Sequence, residues 1–394
     1  MINILTKKLD LTNGLRIVTD IEGGNVDNIK RISENHFSLQ MKPDIPSVYK
    51  YPDHHSYWFY FKIEGCKGGE IQIDITNCDW MPGHWKKYKP VYSYTDDPDN
   101  LTAVEWHRIE KTKLKRNTFS FSQIFKSEHA WVALRYPYNY TRLKRYVESI
   151  KDHEHVDIEE LGNTAMGNTL FMITITDKNI PPSKKKGMLV YAREHGVEQD
   201  GSWVAEGMID FLVSKDPVAD TLRRNFISMI VPIISPDAAM MGRVVDPATG
   251  SSTGIEFINN RMNSIEARLL YNKINRFLQE GNSLDISISL HNPHGTEPNI
   301  YPHYRSYKNA DLLEKAKGLH KAVIKNSVGY TKWKEFTRES CLYSVGSFAK
   351  DFGSIAILYE VNHQAKGNYL SLERLKGMGE VFLKGMVDYY GLVH

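Results

Sequence analysis

His195 and Glu198 lie three residues apart, between two segments of opposite character. Ahead of them, Gly187-Met-Leu-Val-Tyr-Ala192 reads as a buried strand. Behind them, Ser202–Leu212 carries apolar residues at helical spacing. An imidazole and a carboxylate in such a strand-to-helix loop can point at one metal ion. A second apolar strand, Asp285–His291, ends on another histidine. Two nitrogens and one carboxylate leave a coordination position open for water, as hydrolytic zinc sites require. His195, Glu198 and His291 are therefore the candidate zinc ligands.

The His-x-x-Glu spacing alone has little specificity, because it occurs three times in this chain. His107/Glu110 falls in an alternating stretch that reads as a half-exposed strand, so that pair is taken as solvated. His294/Glu297 is a rival, since His291-Asn-Pro-His294-Gly-Thr-Glu297 places three possible ligands in one loop. A chain without any metal is the third reading. Hydrolysis of an amide also needs a general base that later protonates the leaving amine. Glu360, at the end of the apolar strand Ile355–Glu360, is the candidate. A carboxylate there is costly to bury without a partner, and a zinc-bound water is such a partner. The competing reading is a structural carboxylate with its hydrogen bonds satisfied.

These residues have to be positioned by the rest of the chain. Its 394 residues favour two domains over one, and its 41% hydrophobic and 25% charged content suits a globular protein with a sizeable core. A net charge of +3 argues for neither nucleic acid nor a membrane surface as partner. Cys66, Cys78 and Cys341 form no C-x-x-C pair, so neither a disulfide framework nor a thiolate zinc site is expected. The N-terminus lacks a signal-peptide core and no apolar run is long enough to span a membrane. A cytoplasmic location is the default expectation.

Residues 1–139 show short alternating runs punctuated by Gly, Pro, Asn and Asp, among them Phe37–Met41, Tyr57–Ile63 and Ile71–Ile75. That pattern predicts an all-β sandwich. Its aromatic run Tyr57-Trp58-Phe59-Tyr60-Phe61 reads as core plus domain packing in preference to a sugar-stacking face. Residues 140–164 read as a bridging helix, Tyr140–Ile150, followed by a charged linker or exposed turn. Residues 165–394 alternate strands with longer helices, which predicts an α/β domain with a mixed, mostly parallel sheet flanked by helices. His195, His291 and Glu360 all fall at the carboxyl ends of its strands, where sites gather in such sheets.

A resemblance joins these features. Ala192-Arg-Glu-His195-Gly-Val-Glu198, Ser202-Trp-Val-Ala-Glu-Gly207, Val231-Pro-Ile-Ile-Ser-Pro-Asp237, Asn260-Arg261, Leu290-His291, Tyr343 and Glu360 follow one another as in the metallocarboxypeptidases. Trp58-Phe-Tyr-Phe61, Val91-Tyr-Ser-Tyr94 and Pro137-Tyr-Asn-Tyr-Thr141 resemble the cytosolic carboxypeptidase branch, which carries a β-sandwich ahead of the catalytic domain and includes deglutamylases. The resemblance implies that His195, Glu198 and His291 hold Zn2+ and that Glu360 is the general base. It also implies that Asn260 and Arg261 bind the free C-terminal carboxylate of a peptide, a task suited to the planar fork of arginine, and that Tyr343 closes over the substrate. The implied partner is a peptide or peptide-like substrate.

The chain departs from the family in two places. Ser235-Pro-Asp-Ala238 stands where Asn-Pro-Asp-Gly is common, and Val245 falls in the register of the arginine that stabilises the oxyanion. Arg243, two residues away, is the candidate replacement. At the base of the side-chain pocket, just before Asp351-Phe352, the resemblance places Lys350. A buried ammonium there would select an acidic residue, because an apolar one would leave it unpaired; a solvated lysine is the alternative. The reading is a zinc hydrolase that removes a C-terminal Glu or Asp. The alternatives are a weakly active or inactive carboxypeptidase-like protein that binds peptide or glycan, an amidase of cell-wall stem peptides, and a small-molecule esterase or deacylase.

Overall fold

A computed structural model of the chain describes residues 14–44, 57–79, 85–102, 104–259, 262–293, 295–296, 302–303, 309–330, 344–365 and 367–393. Among the described residues, ten strands precede residue 140. They are β1 (Arg16–Val18), β2 (Val26–Ser33), β3 (His36–Met41), β4 (Tyr60–Glu64), β5 (Glu70–Ile75), β6 (Val91–Ser93), β7 (His107–Arg108), β8 (Lys111–Lys115), β9 (Thr118–Ile124) and β10 (His129–Ala133). They form two five-stranded sheets, ordered β1-β4-β10-β6-β7 and β2-β3-β5-β9-β8. Period-two patterning builds them: in β3, Phe37, Leu39 and Met41 are buried while the residues between them are half-exposed. Phe59, just before β4, stacks on Phe121 of β9 with ring centroids 5.9 Å apart, which ties one sheet to the other. Tyr57 to Phe61 are all buried, so this aromatic run is core and not a sugar-binding face.

The second part contains α1 (Tyr140–Ile150), β11 (Val156–Asn163), β12 (Thr169–Ile175), β13 (Lys186–Ala192), α2 (Gln199–Leu212), α3 (Pro217–Asn225), β14 (Phe226–Val231), α4 (Pro236–Met240), α5 (Thr253–Asn259), α6 (Ile265–Gln279), β15 (Leu284–His291), β16 (Pro302–His303), α7 (Ala310–Asn326), α8 (Ser344–Phe352), β17 (Ile355–Glu360) and α9 (Leu372–Tyr390). Its seven-stranded sheet runs β11-β12-β14-β13-β15-β17-β16. The four central strands are parallel and the flanking pairs antiparallel, so the sheet is mixed, with parallel pairing confined to its centre. The central strands are near-continuous apolar runs because helices cover them. Helix starts follow local chemistry. Asp216 caps α3 by accepting from Val218 N, with Pro217 next in line, and Ser264 caps α6 by accepting from Ala267 N. α9 packs on both α2 and α7.

The charged stretch after α1 differs from its reading as a linker. Residues 156–163 form β11, which pairs with β12 through a bulge at Glu160/Gly162 and completes the sheet edge. Only Val156 of this strand is buried, so its sequence carries the weak patterning of an edge strand. No helix among the described residues is long and apolar enough to cross a membrane.

Candidate metal centre and active site

Strand β13 delivers the chain into the loop that carries His195 and Glu198. Directly after it, Arg193 takes a left-handed φ of 68°, uncommon for a bulky side chain. Its own hydrogen bonds hold it there. The buried guanidinium donates to Gly196 O (Nε, 2.8 Å), to Tyr138 O (3.0 Å) and to Gln199 Oε1 (2.9 Å). Burial pulls its pKa down to about 9, against the raising effect of Glu198. Gly196 has no room for a side chain: a Cβ would sit 2.5 Å from the Ala238 carbonyl carbon and 2.6 Å from Arg243 O. The loop is thus wedged between its own arginine and the segment after β14.

The result is convergence. His195 Nδ1 lies 2.9 Å from Glu198 Oε1, and His291 Nδ1 lies 2.9 Å from Glu198 Oε2. The imidazole centroids are 5.1 Å apart with the rings at 72°. One ligand atom from each of the three residues falls within 4.8 Å of the others. Glu198 Oε2, although close to His291, is buried without a hydrogen bond of acceptable geometry, as befits an oxygen that serves a cation. Burial alone would raise the Glu198 carboxyl, but the two imidazoles hold it well below the usual carboxylate range. Burial alone would lower His291, but Glu198 and Glu194 lift it well above the usual histidine range. Two imidazoles and one carboxylate are the donor set of a hydrolytic zinc site, and the residues fit that ion.

Glu194 was not foreseen as part of the site. It is 4% exposed, its Oε2 lies 3.5 Å from His291 Nε2, and its Oε1 accepts from Ser289 Oγ at 2.9 Å. A carboxylate behind a ligating imidazole fixes the ring's tautomer and orientation. The space is tight, since a Cβ on Gly254 would approach Glu194 Oε2 to 1.7 Å. Glu194→Gln is expected to weaken zinc binding by about 10–100-fold, measured by competition with a chromophoric chelator; unchanged affinity would remove Glu194 from this role.

The parallel register of β15 and β17 sets His291 and Glu360 side by side, and Val361 N donates to His291 O at 2.8 Å. Glu360 is half-buried at this strand end. Behind it, Tyr359 contacts His320 of α7, whose Nδ1 is 3.2 Å from the Tyr359 hydroxyl. Burial pushes His320 down to about 3. The folded protein therefore resists a proton that the unfolded chain accepts near pH 6.5. Stability should be full above that pH and fall toward pH 3, by at most ~1.4 kcal/mol per pH unit from this group. Urea midpoints at pH 7 and pH 5 for the wild type and His320→Leu test this; the variant should show the smaller drop.

A buried polar network holds these strand ends against the N-terminal sheets. Arg135, just after β10, is 1% exposed. Its Nη1 donates to Asp200 Oδ2 and Asn362 Oδ1 (both 3.0 Å), and its Nη2 to Tyr88 OH (2.9 Å) and Pro293 O (3.1 Å). Asp200 also accepts from His363 N at 2.9 Å, and its own N donates to Asn292 Oδ1 at 3.1 Å. Tyr57 OH accepts from Gly295 N at 2.6 Å. The segments that follow His291 and Glu360 are thereby clamped from both sides.

The other candidates are placed differently. Lys350 sits on α8 with its side chain 80% exposed and its Nζ 3.9 Å from Asp351. That is a solvated lysine, not the buried ammonium expected at a pocket base; it falls on the outer side of a helix that the short Ser344–Phe352 pattern did not reveal. Arg243 is engaged with the N-terminal part: its Nη1 donates to Pro43 O, and the neighbouring Val244 N donates to Asp44 Oδ2 at 2.7 Å. Asn260, Arg261 and Tyr343, and the rival pair His294/Glu297, lie outside the described residues. His107/Glu110 forms no metal set: His107 is half-exposed near Glu105, and Glu110 pairs with Lys89.

The family model described as cytosolic carboxypeptidase N-terminal domain matches residues 17–134, and the model described as zinc carboxypeptidase matches residues 143–248. The chain belongs to the zinc carboxypeptidase family. Cytosolic carboxypeptidase 3 of Bos taurus is 21% identical over 93% of this chain and 39% of its own length. Cytosolic carboxypeptidase 2 of Xenopus tropicalis is 28% identical over 60% of this chain and 26% of its own length. The chain thus spans well under half the length of these relatives. Solved structures share the whole fold. A metallo-carboxypeptidase from Burkholderia cenocepacia superposes with a TM-score of 0.82 at 19% identity, covering 96% of this chain and 99% of the other. One from Pseudomonas aeruginosa in complex with (2-guanidinoethylmercapto)succinic acid gives 0.80 at 18% identity, over 95% and 99%. The chain therefore carries a β-rich N-terminal domain of the cytosolic carboxypeptidase type ahead of its mixed α/β zinc carboxypeptidase domain.

Proposed function

We propose that this zinc carboxypeptidase family member hydrolyses the last peptide bond of peptides with a free C-terminal carboxylate. The observation that carries the reading is the convergence of His195, Glu198 and His291, with Glu194 behind one ligand and Glu360 beside it. Zinc, when bound, lowers the pKa of its water and polarises the scissile carbonyl. Glu360 takes the proton from the attacking water and returns it to the leaving amine. Glu194 and Arg193 keep the ligand loop and the His291 ring in place. Asn260 and Arg261 gripping the terminal carboxylate, and Tyr343 closing over it, rest on the family resemblance. So does the preference for a terminal Glu or Asp, since exposed Lys350 supplies no buried counter-charge. A cytosolic setting is supported by the names of the relatives.

The test uses zinc-loaded protein and peptides that differ only in their last residue: Glu, Asp, Phe, Lys or Gly. Mass spectrometry should show stepwise loss of terminal Glu or Asp, abolished by 1,10-phenanthroline and restored by zinc. Loss of Phe or Lys instead would keep the hydrolase and discard the acidic preference. No cleavage of any peptide would overturn the proposed activity. The engagement of Arg243 with Pro43 favours one second reading, a slow enzyme or peptide binder, because one missing oxyanion donor costs about 10²–10³-fold in kcat. In that case peptide binding would persist while turnover stayed at the level of Glu360→Gln.

A further inference from the structure

Helix α4, the loop after it and the start of α6 bring together a second set of acidic side chains. Asp237, Asp246 and Glu266 are all at most 3% exposed, and one carboxylate oxygen of each lies within 4.8 Å of the others. Glu256 of α5, fully buried, adds its charge to Glu266. No cationic side chain forms an ion pair with these four among the described residues.

The hydrogen bonds do not absorb that charge. Asp237 is well served, accepting from Thr164 Oγ1 (2.6 Å), Met166 N (2.9 Å) and Asn168 Nδ2 (2.7 Å). Asp246 gathers Ala248 N, Thr249 N and Thr249 Oγ1 on its Oδ1. Glu256 accepts from Ser264 on Oε2. Glu266 Oε1 and Glu256 Oε1, by contrast, are buried with no hydrogen-bond partner at all. A buried carboxylate oxygen without a donor costs free energy unless it meets a proton or a cation. Burial first, then Asp246, Asp237 and Glu256, push the Glu266 carboxyl up to about 7, so at neutral pH protons alone leave part of the charge in place.

We propose that Asp237, Asp246 and Glu266 hold a calcium ion, separate from the His195, Glu198 and His291 set. The donors are all oxygen, which favours a hard cation over zinc. Ca2+ takes six to eight oxygens at ~2.3–2.6 Å in flexible geometry, which suits carboxylates fixed on three separate segments, whereas Mg2+ demands a near-ideal octahedron at ~2.0–2.1 Å. The ion would tie α4, the 243–251 loop and α6 to the turn between β11 and β12. That loop is the one against which the zinc-ligand loop rests, with Gly196 N donating to Val244 O at 3.0 Å. Calcium would therefore brace the wall behind His195.

Calorimetric titration of CaCl2 into chelex-treated, zinc-reloaded full chain tests this. The wild type should bind one Ca2+ per chain beside its zinc, with a Kd between about 10⁻⁶ and 10⁻³ M, more tightly than MgCl2. Glu266→Gln and Asp246→Asn, which keep the side-chain shape, should each lose the calcium isotherm and retain one zinc. Absence of calcium binding by the wild type overturns the proposal without reference to any variant, as does tighter binding of Mg2+. Calcium binding that survives in both folded variants also overturns it, because it would place the ion elsewhere.

Discussion

Glu360→Gln should lower kcat/KM for removal of a C-terminal residue by about 10²–10⁴-fold, the range attributed to a positioned general acid–base. The amide keeps the size and half-burial of the carboxylate at the end of β17 but cannot take a proton from water. Because β15 and β17 pair His291 with Glu360, the group stands beside the metal set without belonging to it. Zinc content should therefore stay at one per chain, and peptide KM should change far less than kcat. The same experiment on Glu198→Ala gives the opposite pattern, loss of metal together with activity. A Glu360→Gln variant that retains wild-type turnover would assign the base to another residue.

The second large effect is expected at Arg135, which lies outside the candidate metal set. Its guanidinium is 1% exposed and holds Asp200, Asn362, Tyr88 and the Pro293 carbonyl at once. Arg135→Met leaves the fully buried Asp200 with only His363 and backbone donors. Removing one partner of a buried ion pair costs about 3–5 kcal/mol, because the remaining charge is uncompensated. Chemical denaturation should show that loss. Activity measured well below the unfolding transition should also fall, with kcat reduced more than KM, since the segments after His291 and Glu360 lose their common anchor. Arg135→Met together with Asp200→Asn should recover much of the stability, the signature of a coupled pair. A variant as stable as the wild type would mean that the network contributes little.

The ligand set was legible because its chemistry is local in sequence. His195 and Glu198 share one loop, β13 and β15 are unmistakable apolar runs, and β13 ends three residues before His195 while β15 ends on His291. Parallel central strands then bring their carboxyl ends together in any α/β sheet, so His291 and Glu360 could be placed beside that loop from patterning alone. The β-sandwich was legible for the same reason, since period-two burial is written in strands such as β3, β5 and β9. Strand β11 was not, because an edge strand with one buried residue has little apolar signal to read. Nor was the exposure of Lys350, which depends on how α8 is turned against its neighbours.

The amino-acid order by itself thus determined the class of each domain and singled out the candidate zinc donors and the strand ends beside them. Only the tertiary structure decided what surrounds them. Glu194 behind His291, Arg135 on Asp200, Arg243 on Pro43 and the meeting of Asp237, Asp246 and Glu266 join residues that lie 9 to 200 positions apart. Such contacts are set by side-chain packing and by the need to pair buried polar groups. Those terms depend on the closed fold, and no periodicity in the chain announces them.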